Sequence, residues 1–373
     1  MQITGAVLER IGAAMPYANS LPLTVDELEL TAPGPHEALV RMEAAGVCHS
    51  DLSVVNGDRR RPTPMLLGHE GAGIVEEVGA RVRSLTPGQR VVMTFLPRCE
   101  NCSGCATNGV RPCLRGTASN ERGTLLDGDI RLHRRGEPIC HHLGVSAFAT
   151  HTVVDERSLV RVGNDVPAPI AALLGCAVLT GGGAVLNAAK PQAGQRIAVV
   201  GLGGVGMAAL ITALAIDNDV EVLGIDAVDH KLAQAKNLGA SATYTPAEAM
   251  DQNVRADIVI EAAGNSRAFE TAVNITDAGG TTITVGLPAP DARSSISPLA
   301  LVAGGRSIVG SYLGSAVPKR DVRVFVDLWR QGRLPVEALM SGIIPLRDIN
   351  KAMDNLSAGT VLRQIIDFEG FRP

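Results

Sequence analysis

The sequence predicts an α/β protein, a doubly wound parallel sheet joined to a second, β-rich unit. Three observations carry this. Residues 1–177 read as short β segments broken by Gly and Pro. From about 194 onward the texture changes to strands alternating with helices. A Gly-rich turn, GLGGVG at 201–206, stands between the first of those strands and its helix.

EALVRMEAAGV (37–47), GAGIVEEVG (71–79) and QRVVMTF (89–95) predict strands separated by turn clusters, as in a barrel-like or irregular β unit. Residues 97–116 are rich in Cys and Gly and too poor in apolar side chains to bury a core, which predicts an excursion held by its metal. CAVLTGGGAV (176–185) reads as a Gly-rich lead into the second domain. RIAVV (196–200) then predicts a strand, VGMAALITALAI a helix, EVLGID (221–226) a strand and DHKLAQAKNLG (229–239) a helix. SATYT, ADIVIEAAG, TTITVGL and RSIVGSYL extend the series to six strands. The last ~55 residues return to mixed texture. They hold a helical DVRVFVDLWRQG and a terminal strand in VLRQIIDF, and are expected to rejoin the first domain. The expected division is 1–177 with 319–373, and 178–318.

Charge is near balance, at −4, with no basic or acidic block, which argues against nucleic acid and anionic membrane as main partners. The start, MQITGAVLERIG, lacks a charged-then-apolar signal layout, and no apolar run long enough to span a bilayer stands out. A cytoplasmic chain acting on a small molecule is expected. Seven cysteines, an odd number, suit a reducing compartment, where clustered Cys favour metal over disulfides; Cys140 is the one left over.

GLGGVG matches G-x-G-x-x-G at Gly201, Gly203 and Gly206, after an apolar strand and before a helix. Gly201 allows the tight turn, Gly203 lets backbone approach a pyrophosphate, and Gly206 permits close helix–strand packing. The helix N-terminus supplies free N–H groups to the phosphates. Asp226 ends the next strand, where a carboxylate accepts from ribose hydroxyls and repels a 2′-phosphate, favouring NAD over NADP. Lys231 either braces the adenosine ribose or is an ordinary solvated helix lysine. The alternative for the whole motif is a plain strand–turn–helix.

Cys99, Cys102, Cys105 and Cys113 follow C-x2-C-x2-C-x7-C. Four thiolates on one loop close a tetrahedral zinc shell with no open position, so this zinc would be structural. An iron–sulfur cluster and disulfides are the rivals, and the spacing departs from the bacterial ferredoxin run. Cys48, His69 and Cys176 are further potential ligands. Two Cys and one His would leave a fourth position open, but spacing alone also allows a buried Cys pair and a satisfied histidine.

GHEGAGIVEEVG (68–79), CHSD (48–51), the four-Cys lobe, GCAVLTGGG (175–183), GLGGVG and GTVLRQIIDF occur in an order that resembles the zinc-dependent alcohol dehydrogenases of the medium-chain dehydrogenase/reductase family, over almost the full length. The resemblance implies a GroES-like catalytic domain and a Rossmann domain, NAD, and two zinc ions per chain. It implies Cys48, His69 and Cys176 as ligands of catalytic zinc, with Glu70 behind the metal and Asp51 hydrogen-bonded to His69. The implied reaction is reversible hydride transfer from an alcohol to nicotinamide C4, zinc acidifying the alcohol. Ser50 matches the hydroxyl that takes the proton. Thr180, Val205 and the turn with Gly204 match nicotinamide and phosphate contacts, and His49 and Arg363 match pyrophosphate contacts. Arg363 also needs a partner, being a charge in an apolar strand.

One departure concerns the proton relay. Where many members carry a His five residues after the first Cys ligand, this chain has Ser53, so His49 is expected to shape the pH profile more than Ser53 does. Phe95, His142 and Leu143 fall where the family lines its alcohol pocket, His142 being unusual there. Arg59, Arg60 and Arg61 either greet a polar or anionic substrate or form a solvated charge run. The long 115–145 segment resembles the branch acting on primary aliphatic and aromatic alcohols. The alternatives are oxidation of a thiol adduct of formaldehyde or of a polyol on the same scaffold, or a non-redox zinc lyase or nucleotide-binding protein. By the same resemblance, the strand near 307–313 would pair subunits into a homodimer or homotetramer.

Overall fold

The computed structural model describes residues 1–216 and 219–368, and all counts below refer to these. The chain divides into two compact units. One comprises Met1–Cys176 with the chain from Glu337 onward; the other is Ala177–Val336.

The first unit contains a small closed barrel and a larger sheet. Strands Gln2–Leu8, Leu23–Leu30, Leu132–Arg134, Glu137–His141 and Met65–Leu66 close the barrel. The sheet is built around the long strand Glu37–Val47. Glu70–Val78 runs antiparallel on one side of it, Arg363–Asp367 antiparallel on the other. The chain's last described strand is thus inserted beside one of its first. Its Ile366 joins Leu52, Val54, Phe148, Met353 and Leu356 in one buried apolar cluster. Each such buried side chain contributes roughly 1.5–3 kcal/mol relative to exposure, which fixes the C-terminal segment to this unit.

The second unit is a six-stranded parallel sheet. Its order is Ala242–Tyr244, Glu221–Ile225, Arg196–Val200, Ala256–Glu261, Thr276–Thr284, Ser307–Gly310. In strand numbers this is 3-2-1-4-5-6, the order of a doubly wound dinucleotide fold, with its crevice where the order reverses beside Arg196–Val200.

Two expectations are corrected. The return to the first unit comes at Glu337, not near 319, because the helix Pro318–Arg330 packs within the second unit. Phe325 closes on Gly182, where a Cβ would stand 2.6 Å from the ring, and Asp321 accepts from Asn187 Nδ2 at 3.0 Å. Second, an apolar run of membrane-crossing length does exist. The helical stretch Ala168–Ala189 meets that length and composition, but 89% of its apolar window is buried inside the protein. Gly181, Gly182 and Gly183 disguise it as a loop in the sequence. Each of them is in contact with a neighbour that leaves no room for a Cβ.

Candidate metal centres and dinucleotide cradle

Strand register gathers the first cluster. Gly46 pairs with Glu70, and Val47 with Gln364. Cys48, His69 with Glu70, and Arg363 therefore emerge at the same end of three adjacent strands. Gly46 leaves the space: a Cβ there would collide with the Glu70 carboxylate. Gly68, at φ 92°, makes the turn that presents His69, and a side chain on it would strike Phe148 N. Cys176 arrives from the helical stretch beginning at Ala168, in a turn widened to π geometry at Leu174–Val178. Such widened turns often mark functional sites.

The ligand atoms of Cys48, His69, Glu70 and Cys176 all lie within 4.8 Å of one another, and all four residues are buried. Cys176 Sγ is 3.5 Å from His69 Nε2. Asp51 holds the other ring nitrogen, Oδ1 to Nδ1 at 3.0 Å, so Nε2 is the atom turned to the cluster. Asp51 is itself fixed, accepting from Cys48 N at 3.1 Å and Gly68 N at 3.3 Å. Burial pushes its carboxyl up, but the His69 charge and bonds from His142 and His69 bring it below the ordinary value. Cys48 is held well below the usual thiol range, first by the Cys176 thiol and then by the Arg363 and His69 charges, against the penalty of burial. It is therefore poised as a thiolate, the form that binds metal. Two sulfurs, an imidazole and an adjacent carboxylate suit zinc.

Arg363 stands at the same strand ends as the ligands. Its guanidinium is buried against this cluster, with Nε 3.2 Å from both Glu70 oxygens and Nη2 3.2 Å from Cys48 Sγ. The partner needed by a charge in that apolar strand is thus Glu70. Burial raises the Glu70 carboxyl to about 7, and Arg363 opposes the shift.

Ser50 is half-buried and His49 exposed on the first turn of helix His49–Val55. Ser53 Oγ donates to the His49 carbonyl at 2.8 Å, which engages its hydroxyl in the helix. Phe95 and His142 both meet the His69 ring edge-to-face, at 5.6 and 5.5 Å. Leu143 follows, buried, at φ 53°. His142 Nδ1 also lies 3.3 Å from Asp51 Oδ1, a second imidazole on one carboxylate that sequence reasoning missed.

The second cluster is local. The sulfurs of Cys99, Cys102, Cys105 and Cys113 lie within 4.8 Å of one another, Cys102 and Cys105 half-buried. Backbone N–H groups already point at them: Cys99 N and Gly116 N at Cys113 Sγ, both 3.3 Å, and Cys105 N at Cys102 Sγ, 3.4 Å. The last bond pulls the Cys102 thiol down to about 6, whereas burial pushes Cys105 up to about 12. Four sulfurs, three backbone donors and little apolar packing fit a closed structural zinc site.

In the second unit, Gly201 at φ 90° turns tightly against Ala263, and a Cβ on Gly206 would collide with Gly201 O. Gly203 faces open space, with no atom within 4 Å of a Cβ built on it. Gly204 begins the helix Gly204–Ala215, and half-buried Val205 follows. Asp226 caps the crevice, accepting from Leu202 N at 2.6 Å and Val228 N at 3.0 Å. Lys231 is half-buried on helix Asp229–Asn237, and Thr180 is buried on helix Leu179–Gly183. The glycine turn and the N-terminus of helix Gly204–Ala215 have the shape of a pyrophosphate cradle.

Comparison with known proteins agrees with this geometry. Residues 34–164 match the alcohol dehydrogenase GroES-like domain, and residues 204–330 match the zinc-binding dehydrogenase family. A relative from Schizosaccharomyces pombe, described as a probable S-(hydroxymethyl)glutathione dehydrogenase 1, is 32% identical over 366 residues, 95% of this chain and 96% of its own length. An alcohol dehydrogenase zinc-binding domain protein from Burkholderia ambifaria superposes with a TM-score of 0.90 at 31% identity, covering 98% of this chain and 99% of its own. Benzyl alcohol dehydrogenase from Acinetobacter calcoaceticus superposes with a TM-score of 0.89 at 28% identity, with the same coverage. With its GroES-like unit and its Rossmann-type sheet, this chain is an oxidoreductase that belongs to the zinc-dependent alcohol dehydrogenases of the medium-chain dehydrogenase/reductase family.

Proposed function

We propose that the protein is an NAD-dependent alcohol dehydrogenase with two zinc ions per chain, oxidising a primary aliphatic or aromatic alcohol reversibly to the aldehyde. One observation carries this reading. Cys48, His69 and Cys176, from three distant segments, converge with the imidazole tautomer fixed by Asp51. Zinc held there supplies Lewis acidity at the alcohol oxygen, and NAD supplies the hydride acceptor. Asp51 orients His69 and Arg363 holds Glu70, so two sulfurs and one imidazole serve the ion while a place is left for substrate. Ser50 receives the alcohol proton, and exposed His49 passes it to solvent. Cys99, Cys102, Cys105 and Cys113 hold the second zinc.

Asp226 supports NAD, because a carboxylate at the end of the second strand accepts from ribose hydroxyls and repels a 2′-phosphate. The benzyl alcohol dehydrogenase relative supports an aromatic alcohol. The yeast relative favours a second reading, oxidation of a thiol adduct of formaldehyde. Strand Ser307–Gly310 lies at the edge of its sheet with its own Val309 exposed, as are Leu299 and Val302 on the preceding helix Pro298–Gly304, which supports a homodimer paired through that edge. The seven free cysteines support a cytoplasmic setting.

Metal analysis and an alcohol panel test the reading together. About two zinc per chain is expected, with NADH formed from benzyl alcohol or octanol and little NADPH formed when NADP replaces NAD. NADH formed only with S-hydroxymethyl thiols would favour the second reading. No NADH with any of these, in protein that is zinc-loaded and binds NAD, would refute both.

A further inference from the structure

We propose that His142 is a positioning residue for the metal centre: it shares the Asp51 carboxylate with ligand His69 and so limits how strongly Asp51 pulls on the His69 imidazole. This rests on the zinc-dependent dehydrogenase reading and adds a residue to it.

The contact is placed by geometry. His142 is 1% exposed, and its Nδ1 lies 3.3 Å from Asp51 Oδ1, the oxygen that also meets His69 Nδ1 at 3.0 Å. A carboxylate only accepts, so the His142 nitrogen that faces it carries the proton. That N–H makes no straight hydrogen bond among the described residues, so it meets the carboxylate charge across a bent contact. Gly68 N reaches the same oxygen at 3.3 Å, but as a neutral amide of the backbone. The two imidazoles stand edge-to-face, 5.5 Å apart.

The turn that carries His142 is built on the segment that carries His69. Val145 N and Ser146 N donate to His142 O at 3.0 and 3.2 Å. Leu143 at φ 53° and Ser146 at φ 52° are left-handed, a conformation that a Cβ makes costly. Ser146 Oγ accepts from His142 N and donates to Leu66 O, both at 2.9 Å. Ala147 N and Phe148 N then donate to Gly68 O and Leu67 O. Residues 66–68 lead directly into His69. The distance between the two rings is therefore set by backbone and Ser146 bonds and does not depend on the His142 ring itself. Strained turns of this kind persist where the surrounding structure holds them, and they cluster at functional sites.

The consequence lies in charge sharing. A carboxylate that accepts from a ligand imidazole makes that imidazole a stronger electron donor to a metal on its other nitrogen. A second imidazole N–H on the same oxygen takes part of that pull. His69 then gives less to zinc, which leaves the ion more electron-poor toward an alcohol oxygen.

The experiment separates this role from packing. Zinc-loaded full-length protein with isotope-labelled histidine is compared by NMR with His142→Phe and His142→Asn. The first keeps an aromatic ring against His69 and removes the N–H; the second keeps an N–H where Nδ1 stands and removes the ring. Wild-type His142 is expected to carry its proton on Nδ1. In His142→Phe the His69 Nδ1 proton should move downfield. The zinc equivalent that His69→Ala lacks should there be lost to a chelator more slowly, by about threefold or more. His142→Asn should return both toward wild type. Wild-type His142 protonated on Nε2 alone overturns the proposal, as does a His69 proton and a zinc loss unmoved in His142→Phe. Faster zinc loss in His142→Phe also overturns it, since lost packing alone would give that. Should a variant fail to fold, the other decides with the wild-type tautomer. None of these measurements uses an alcohol. Protein that holds zinc and oxidises no alcohol would refute the dehydrogenase reading, while the spectra still judge His142.

Discussion

The sulfurs of Cys99, Cys102, Cys105 and Cys113 come from one loop, whereas Cys48, His69, Glu70 and Cys176 come from strand ends and a helix far apart in the chain. The first cluster is shaped by backbone N–H groups of its own segment, and two of its cysteines are half-exposed. The second is shaped by the register of three strands and is wholly buried. The contrast teaches that a local cluster can fold around its metal almost independently, while a non-local one exists only after the sheet has formed. The surrounding fold holds the second in place, whereas in the first a bound metal would stand in for a missing core.

That contrast makes the two sites break differently. The largest effect is expected from His69→Ala, a loss of ~10³-fold or more in alcohol oxidation with one metal equivalent missing and little change in fold. Elemental analysis, circular dichroism and initial rates check it, and near-normal turnover would contradict a catalytic role for this cluster. Asp51→Asn removes the charge that fixes His69 and should cost about 10–100-fold in metal affinity or activity. Competition with a chelator measures the first directly, and an unchanged zinc off-rate would sink the positioning role. Cys102→Ser in the lobe should act the opposite way round. Tm falls by several degrees and residues 97–113 become open to proteolysis, while the initial rate of still-folded enzyme drops less than in His69→Ala. A lobe variant as inactive as His69→Ala, at unchanged Tm, would erase the distinction.

The smallest effect concerns an imidazole outside both clusters. His141 is buried in the barrel and accepts from Arg131 N through Nε2 at 3.1 Å. Burial, with the Arg131 and His133 charges, lowers it to about 3. The unfolded chain takes up a proton below about 6.5 that the folded chain refuses. Stability is therefore full above that pH and lost as pH falls toward 3, by up to about 1.4 kcal/mol per pH unit. His141→Phe should give a shallower fall of Tm between pH 6.5 and 4, and identical slopes would show that the site does not remain neutral.

Much of the architecture was legible because its signals are periodic or local. Glu37–Val47 and Arg196–Val200 are observed over the stretches expected, and Gly201, Gly203 and Gly206 meet the three steric situations that their spacing implied. The helix through Gly181–Gly183 was not legible, because glycine's local preference for turns is overridden there by close packing. The charged partner of Arg363 was legible as a need and not as an identity. The approach of His142 to Asp51 left no trace in spacing at all.

By itself the sequence determined the alternation that makes the parallel sheet, the turn that can cradle phosphates, and the loop of four thiols, since each depends on residues within one turn or strand of each other. Only the tertiary structure decided that Cys48, His69 and Cys176 share a point, that Arg363 belongs to Glu70, and that His142 faces Asp51. Such contacts follow from strand register and helix placement, which are set by burial of the whole core and not by any local run of residues.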